Sequence, residues 1–112
     1  MSPLTTHVLD TARGRPAAGV PVRLEIADGA SWRPLAAGET NADGRLPGLL
    51  PEGGLERAVY RLTFEVEVYE DRMGGRGFYP YAQIVFRVDD PLQHHHVPLL
   101  LSPFGYSTYR GS

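Results

Sequence analysis

The sequence contains no cysteine, and its eleven basic residues are all arginine, with no lysine among them. The missing thiols exclude disulfides, thiolate zinc sites, iron–sulfur clusters and a cysteine nucleophile. The missing amines exclude Schiff-base chemistry, a phosphate-cradling lysine and a lysine general base. An excess of one charge is also lacking. Eleven basic against thirteen acidic residues leave a net charge of −2, which gives no electrostatic footing for nucleic acid. No stretch approaches the roughly 20 apolar residues of a membrane span. The opening Met-Ser-Pro-Leu-Thr-Thr-His has neither the basic start nor the apolar run of a signal peptide, and the final Arg-Gly-Ser is not a Ser-Lys-Leu peroxisomal address. The expectation is a soluble cytoplasmic protein with no nucleic-acid or membrane partner. Internal repeats, low-complexity tracts and polar linkers are absent, so residues 1–112 read as one domain. A chain of this length buries roughly two thirds of its unfolded surface and needs no disulfide or structural metal.

What is present is punctuation. Thirteen glycines and ten prolines separate short runs with strand character at residues 4–10, 20–27, 32–37, 59–68, 82–89 and 95–101. Tyr60, Leu62, Phe64 and Val66 alternate with Arg61, Thr63 and Glu65, and Val20, Val22, Leu24 and Ile26 alternate with Pro21, Arg23 and Glu25. Ile84, Phe86 and Val88 follow the same period of two, which buries one strand face and wets the other. Such alternation marks antiparallel sheets rather than the continuous apolar runs of parallel ones. Turn signals lie between the runs, including Arg13-Gly14-Arg15-Pro16, Asp28-Gly29 and Asn41-Ala42-Asp43-Gly44. About seven or eight short strands with frequent turns read as an all-β sandwich. Only residues 67–73 suggest a helix, of about two turns, ended by Gly74-Gly75.

Three of the four histidines are consecutive, His94-His95-His96. On a strand, His94 and His96 share a face and His95 takes the other. Three readings follow. A histidine pair two apart, joined by His7, suits zinc. Alternatively, His96 and His7 act without metal as a base and its partner, because imidazole titrates near neutral pH. The plain reading is a polar strand start with solvated rings. Arg45, after the Asn-Ala-Asp-Gly turn, is either a surface charge or a cation that disfavours protonation of nearby imidazoles. Serine hydrolysis of the usual kind has no support: Gly105-Tyr106-Ser107-Thr108-Tyr109 ends in tyrosine where a nucleophile elbow needs glycine. The tail, Tyr109-Arg110-Gly111-Ser112, follows an apolar run with no polar spacer, which favours packing over fraying.

Several motifs converge on one resemblance: Leu-Thr-Thr-His-Val-Leu-Asp-Thr from Leu4, Asp-Gly-Arg at 43–45, Phe-Tyr-Pro at 78–80, His-x-His-Val-Pro-Leu-Leu-Leu-Ser-Pro from His94, and the terminal Tyr-Arg-Gly-Ser. Together they resemble the 5-hydroxyisourate hydrolase family, the transthyretin-related proteins of purine catabolism, over residues 4–112. The resemblance implies a transthyretin-like, two-sheet antiparallel β-sandwich of about eight strands with one short helix. It also implies a homotetramer whose active sites lie at subunit interfaces in a central channel. The implied reaction is cofactor-free and metal-free hydrolysis of 5-hydroxyisourate to 2-oxo-4-hydroxy-4-carboxy-5-ureidoimidazoline, in the degradation of urate. By the same resemblance His7 and His96 orient and deprotonate water, and Arg45 binds substrate and stabilises negative charge. Tyr109 contacts substrate, Ser112 completes the hydrogen bonds around the water, and His94 has a supporting role. The family usually has an aromatic residue where this chain has His95. Transthyretin itself, the hormone carrier, shares the fold but lacks these histidines, the arginine and the Tyr-Arg-Gly-Ser ending; a small-ligand binding module without catalysis is therefore the alternative.

Overall fold

The computed structural model describes residues 2–111. Eight strands and one helix follow in chain order among them: β1 (Leu4–Asp10), β2 (Arg15–Pro16), β3 (Pro21–Asp28), β4 (Ser31–Glu39), β5 (Ala58–Phe64), α1 (Val66–Arg72), β6 (Ala82–Val88), β7 (His95–Ser102) and β8 (Gly105–Thr108). They form two four-stranded sheets, ordered β2-β1-β7-β8 and β4-β3-β5-β6. The alternation visible in the sequence sets their inner faces. Leu4 and Val8 of β1, Val22 and Leu24 of β3, Leu62 and Phe64 of β5, and Leu99 of β7 are buried in the shared core. Each such side chain contributes about 1.5–3 kcal/mol by leaving water.

The pairing is antiparallel with one exception: β1 and β7 run parallel, with Thr5 opposite His96 and His7 opposite Pro98. Two strands so distant in sequence need no hairpin between them, and their pairing joins the two ends of the chain. The edge strand β4 accommodates Pro34, which lacks a ladder N–H, beside a register shift at Leu24/Glu25.

The sequence reads as a strand over 59–68, overlapping the short helix expected over 67–73. Instead the strand stops at Phe64 and α1 starts at Val66. Buried Val66, Tyr69 and Glu70 fall at helical spacing, so Val66 serves a helix face rather than a strand face. Seven residues are too few for an isolated helix, and tertiary contacts hold this one. The Tyr69 hydroxyl donates to Asp10 Oδ2 at 2.6 Å, and Arg13 Nη1 donates to the same oxygen at 2.8 Å. Burial alone would raise the Asp10 pKa, but these hydrogen bonds and the Arg13 charge outweigh it and hold the carboxyl below its ordinary value. Tyr69 is pushed up to about 12, first by burial and then by its bond to that carboxylate. Arg15–Pro16, which read as part of a turn, makes a two-residue strand against Leu9 and Asp10.

Candidate functional site

Strand register brings the candidate residues together on the outer face of the β2-β1-β7-β8 sheet. Inward Leu4, Thr6, Val8 and Asp10 leave Thr5 and His7 facing out from β1, and inward His95 and Val97 leave His96 facing out from β7. Because Thr5 is the register partner of His96, His7 lies two residues along the neighbouring strand. Sheet spacings put the two histidine backbones about 8 Å apart.

Arg45 reaches the same face from a turn that borders β1. Its backbone forms an antiparallel bridge with His7, and directly opposed residues project to one side of a sheet. The turn is rigidly built. Asn41 Oδ1 accepts from the backbone N–H groups of Asp43 and Arg45 at 2.9 and 3.1 Å, and Val8 N–H donates to the Gly44 carbonyl at 2.7 Å. Gly44 has φ +74°, and a Cβ there would run into the Val8 carbonyl, so only glycine lets the turn approach β1 this closely.

Thr5, Thr6, Arg45, Leu46, Pro47, His94 and His96 line a cavity of about 460 Å³. His7 stands beside it, its Nε2 donating to the Asp43 carbonyl at 2.8 Å. A carbonyl only accepts, so this bond puts the neutral ring's proton on Nε2 and leaves Nδ1 as the basic nitrogen. The half-buried His96 is held below the ordinary imidazole pKa, first by burial and then by the positive charges of Arg45, His7 and His94; a hydrogen bond with the Thr5 backbone opposes this in part. His96 is therefore neutral at pH 7 and able to accept a proton.

The consecutive histidines separate. His95 turns into the sandwich, 4% exposed, with Nδ1 donating to the Gln93 carbonyl at 2.9 Å. His94 precedes β7 rather than lying on it, yet its ring stacks on that of His96, with centroids 6.4 Å apart. The Thr5 hydroxyl sits between them, 3.0 Å from His94 Nε2 and 2.8 Å from His96 Nδ1. Among the described residues no three of histidine, aspartate and glutamate converge as metal ligands.

The tail divides. Gly111 bridges to His96, its N–H donating to the His96 carbonyl at 2.8 Å. Tyr109 instead borders a separate cavity of about 290 Å³ with Ile84, Phe86, His95 and Val97, so one chain alone does not bring it to His7, Arg45 and His96. Ser112 lies outside the described residues. Sequence reasoning attached no function to Thr5 or Gly111. Strand alternation places Thr5 on the His7 face, whereas the nearness of Gly111 to the His96 ring has no local sequence signal.

Comparison with known proteins gives a consistent result. Residues 4–111 match the family model described as the HIUase/Transthyretin family. The chain is 49% identical to 5-hydroxyisourate hydrolase of Mus musculus, covering 99% of this chain and 96% of that protein. It is 46% identical to 5-hydroxyisourate hydrolase of Deinococcus radiodurans, covering 97% and 95% respectively. Among solved structures, transthyretin of sea bream in complex with thyroxine superposes with a TM-score of 0.92 at 32% identity, covering 98% of this chain and 95% of that one.

Proposed function

The chain belongs to the HIUase/Transthyretin family, and we propose on that premise that it is a single-domain enzyme hydrolysing 5-hydroxyisourate by water activated at His7 and His96. The observation that carries this reading is the shared outer face: a neutral His96 and Arg45 line one cavity, and His7 is bridged to Arg45 on the same face. A carrier site for aromatic ligands is mainly apolar. Two imidazoles and a guanidinium suit a polar substrate that reacts.

Hydrolysis begins with attack of the water oxygen on a ring carbonyl carbon as the neutral imidazole of His96 takes a proton from the water. The carbonyl electrons move onto oxygen, and Arg45 stabilises the resulting negative charge through its planar fork of donors. When the carbonyl re-forms, the ring C–N bond breaks and the departing nitrogen receives the proton that His96 held. One water is consumed and both imidazoles return to their starting state, so the cycle needs no cofactor. His7 holds the water, oriented by the Asp43 carbonyl and neighbouring Arg45. Between His94 and His96 stands the Thr5 hydroxyl rather than a third nitrogen ligand, which supports imidazole over metal as the water activator.

The working assembly in this reading is a homotetramer with sites at subunit interfaces. Tyr109 and Ser112 then reach substrate from a neighbouring copy, Tyr109 in contact with the ring and Ser112 hydrogen-bonded around the water. Exposed Phe104 and Tyr106, 79% and 37% accessible in the lone chain, supply apolar surface for such contacts. As for location, no helix among the described residues is long and apolar enough to cross a membrane.

The test is substitution of each imidazole. His7→Asn and His96→Asn should each remove most of the catalysed decay of 5-hydroxyisourate, followed by ultraviolet absorbance, while sedimentation still shows the assembled protein. Wild-type turnover in either variant rejects that residue's role.

A further inference from the structure

The Thr5 hydroxyl has one proton and two imidazole neighbours, His94 Nε2 at 3.0 Å and His96 Nδ1 at 2.8 Å. If both contacts are hydrogen bonds, the hydroxyl donates to one ring and accepts from the other. Only two arrangements satisfy this. In the first, His94 Nε2–H donates to Thr5, Thr5 donates to His96 Nδ1, and neutral His96 carries its proton on Nε2. In the second, His96 Nδ1–H donates to Thr5, Thr5 donates to His94 Nε2, and His96 Nε2 is bare.

We propose that the second arrangement holds: Thr5 and His94 are positioning residues that fix the tautomer of His96 and leave its Nε2 lone pair available to the cavity. The proposal rests on the reading of His96 as the base. One further observation favours this direction. Arg45 lines the cavity with His96, and a guanidinium attracts a lone pair and repels an N–H dipole. The rings of His94 and His96 lie near-parallel, 17° apart in plane, which keeps the exposed His94 within reach of the same hydroxyl. The partner of one ring nitrogen determines which nitrogen carries the proton, and a base with the wrong tautomer cannot accept one where the water lies. The titratable and charged groups facing His96 are His7 from β1, Arg45 from the 41–45 turn and His94 from the segment before β7. The relay acts within that set.

Nitrogen-15 NMR of the full protein, with histidines labelled, reads the tautomer directly because protonated and bare ring nitrogens resonate far apart. In the native protein at pH 8, His96 should show a protonated Nδ1 and a bare Nε2. Thr5→Val keeps the β-branched shape and removes only the hydroxyl, so the strand should persist. His96 should then drift toward the Nε2–H form, with kcat lowered about ten- to a hundredfold and KM little changed. Thr5→Ser should restore both the signal and the rate, and His94→Phe should move them in the same direction as Thr5→Val. A native His96 protonated on Nε2, or a tautomer unmoved by Thr5→Val, overturns the proposal. The hydrolase reading fails separately: a bare Nε2 in a protein that does not accelerate 5-hydroxyisourate decay upholds the relay and rejects the activity.

Discussion

Replacing Gly111 with alanine should damage activity far more than stability. A Cβ built on Gly111 falls 2.5 Å from His96 Cδ2 and 3.2 Å from both Cβ and Cγ of the same residue. Carbon atoms in contact prefer about 3.5–4.0 Å, so the methyl overlaps the ring by about 1 Å or more. Either the tail peels away, surrendering the bond from Gly111 N–H to the His96 carbonyl, or the imidazole turns off Thr5. The first route costs about 0.5–1.5 kcal/mol, the net value of one hydrogen bond. That sum also bounds the loss of stability, because Gly111 lies outside the buried core. Activity suffers on either route, because both the imidazole and the tail belong to the proposed site and a displacement of about 1 Å near the chemistry can cost about a hundredfold in rate. Gly111→Ala should therefore lower kcat by about ten- to a hundredfold while thermal unfolding shifts by only several degrees. Gly105→Ala is the matched control, since its Cβ would meet nothing closer than Ser102 Oγ at 3.7 Å, and it should retain the native rate. Native turnover in Gly111→Ala would refute the claim that the tail and the His96 ring are sterically coupled.

Three other outcomes follow from the same geometry. The acid limb of the pH–rate profile should lie below the ordinary imidazole range, because burial first and the Arg45 charge second depress His96; Arg45→Gln should move that limb upward as well as reducing turnover, and an unmoved limb would detach Arg45 from His96. The same depression makes neutral His96 favour the folded state. Its contribution is fully present above the ordinary imidazole pKa and is lost as pH falls through the lowered value. Tyr69→Phe should cost about 1.5–3 kcal/mol in urea unfolding at neutral pH, the worth of a hydrogen bond to a charged group. Because the Asp10 carboxyl is held low, the stability it contributes is present above the ordinary carboxylate pKa and lost as pH falls through the lowered one; the Tyr69→Phe deficit should therefore shrink in acid.

The layers of the sandwich were legible because period-two alternation is a local property: Leu62 and Phe64 declare their face with no knowledge of the partner strand. The end of β5 was harder to place. Val66 fits a strand alternation and a helical stripe equally well, and packing of Tyr69 against Asp10 selects the helix. The parallel pairing of β1 with β7 also had no local signal, since Thr5 and His96 meet only after the chain has crossed both sheets. For the site, alternation separated His95 from His96. It could not show that Thr5 stands between two imidazoles, or that His94 reaches it from outside the strand. Tyr109 marks a different boundary. Its motif is plain in the sequence, but a single chain places it in another cavity, so its proposed role depends on the proposed assembly.

The most direct test of the central claim is the decay of 5-hydroxyisourate, generated fresh from urate by urate oxidase and followed by ultraviolet absorbance with and without the protein, in the presence and absence of a chelator. After subtraction of the spontaneous decay, a marked acceleration that survives the chelator is the expected result. A folded, assembled protein that leaves the decay unchanged would contradict the hydrolase account and turn attention to the binding of a small planar ligand.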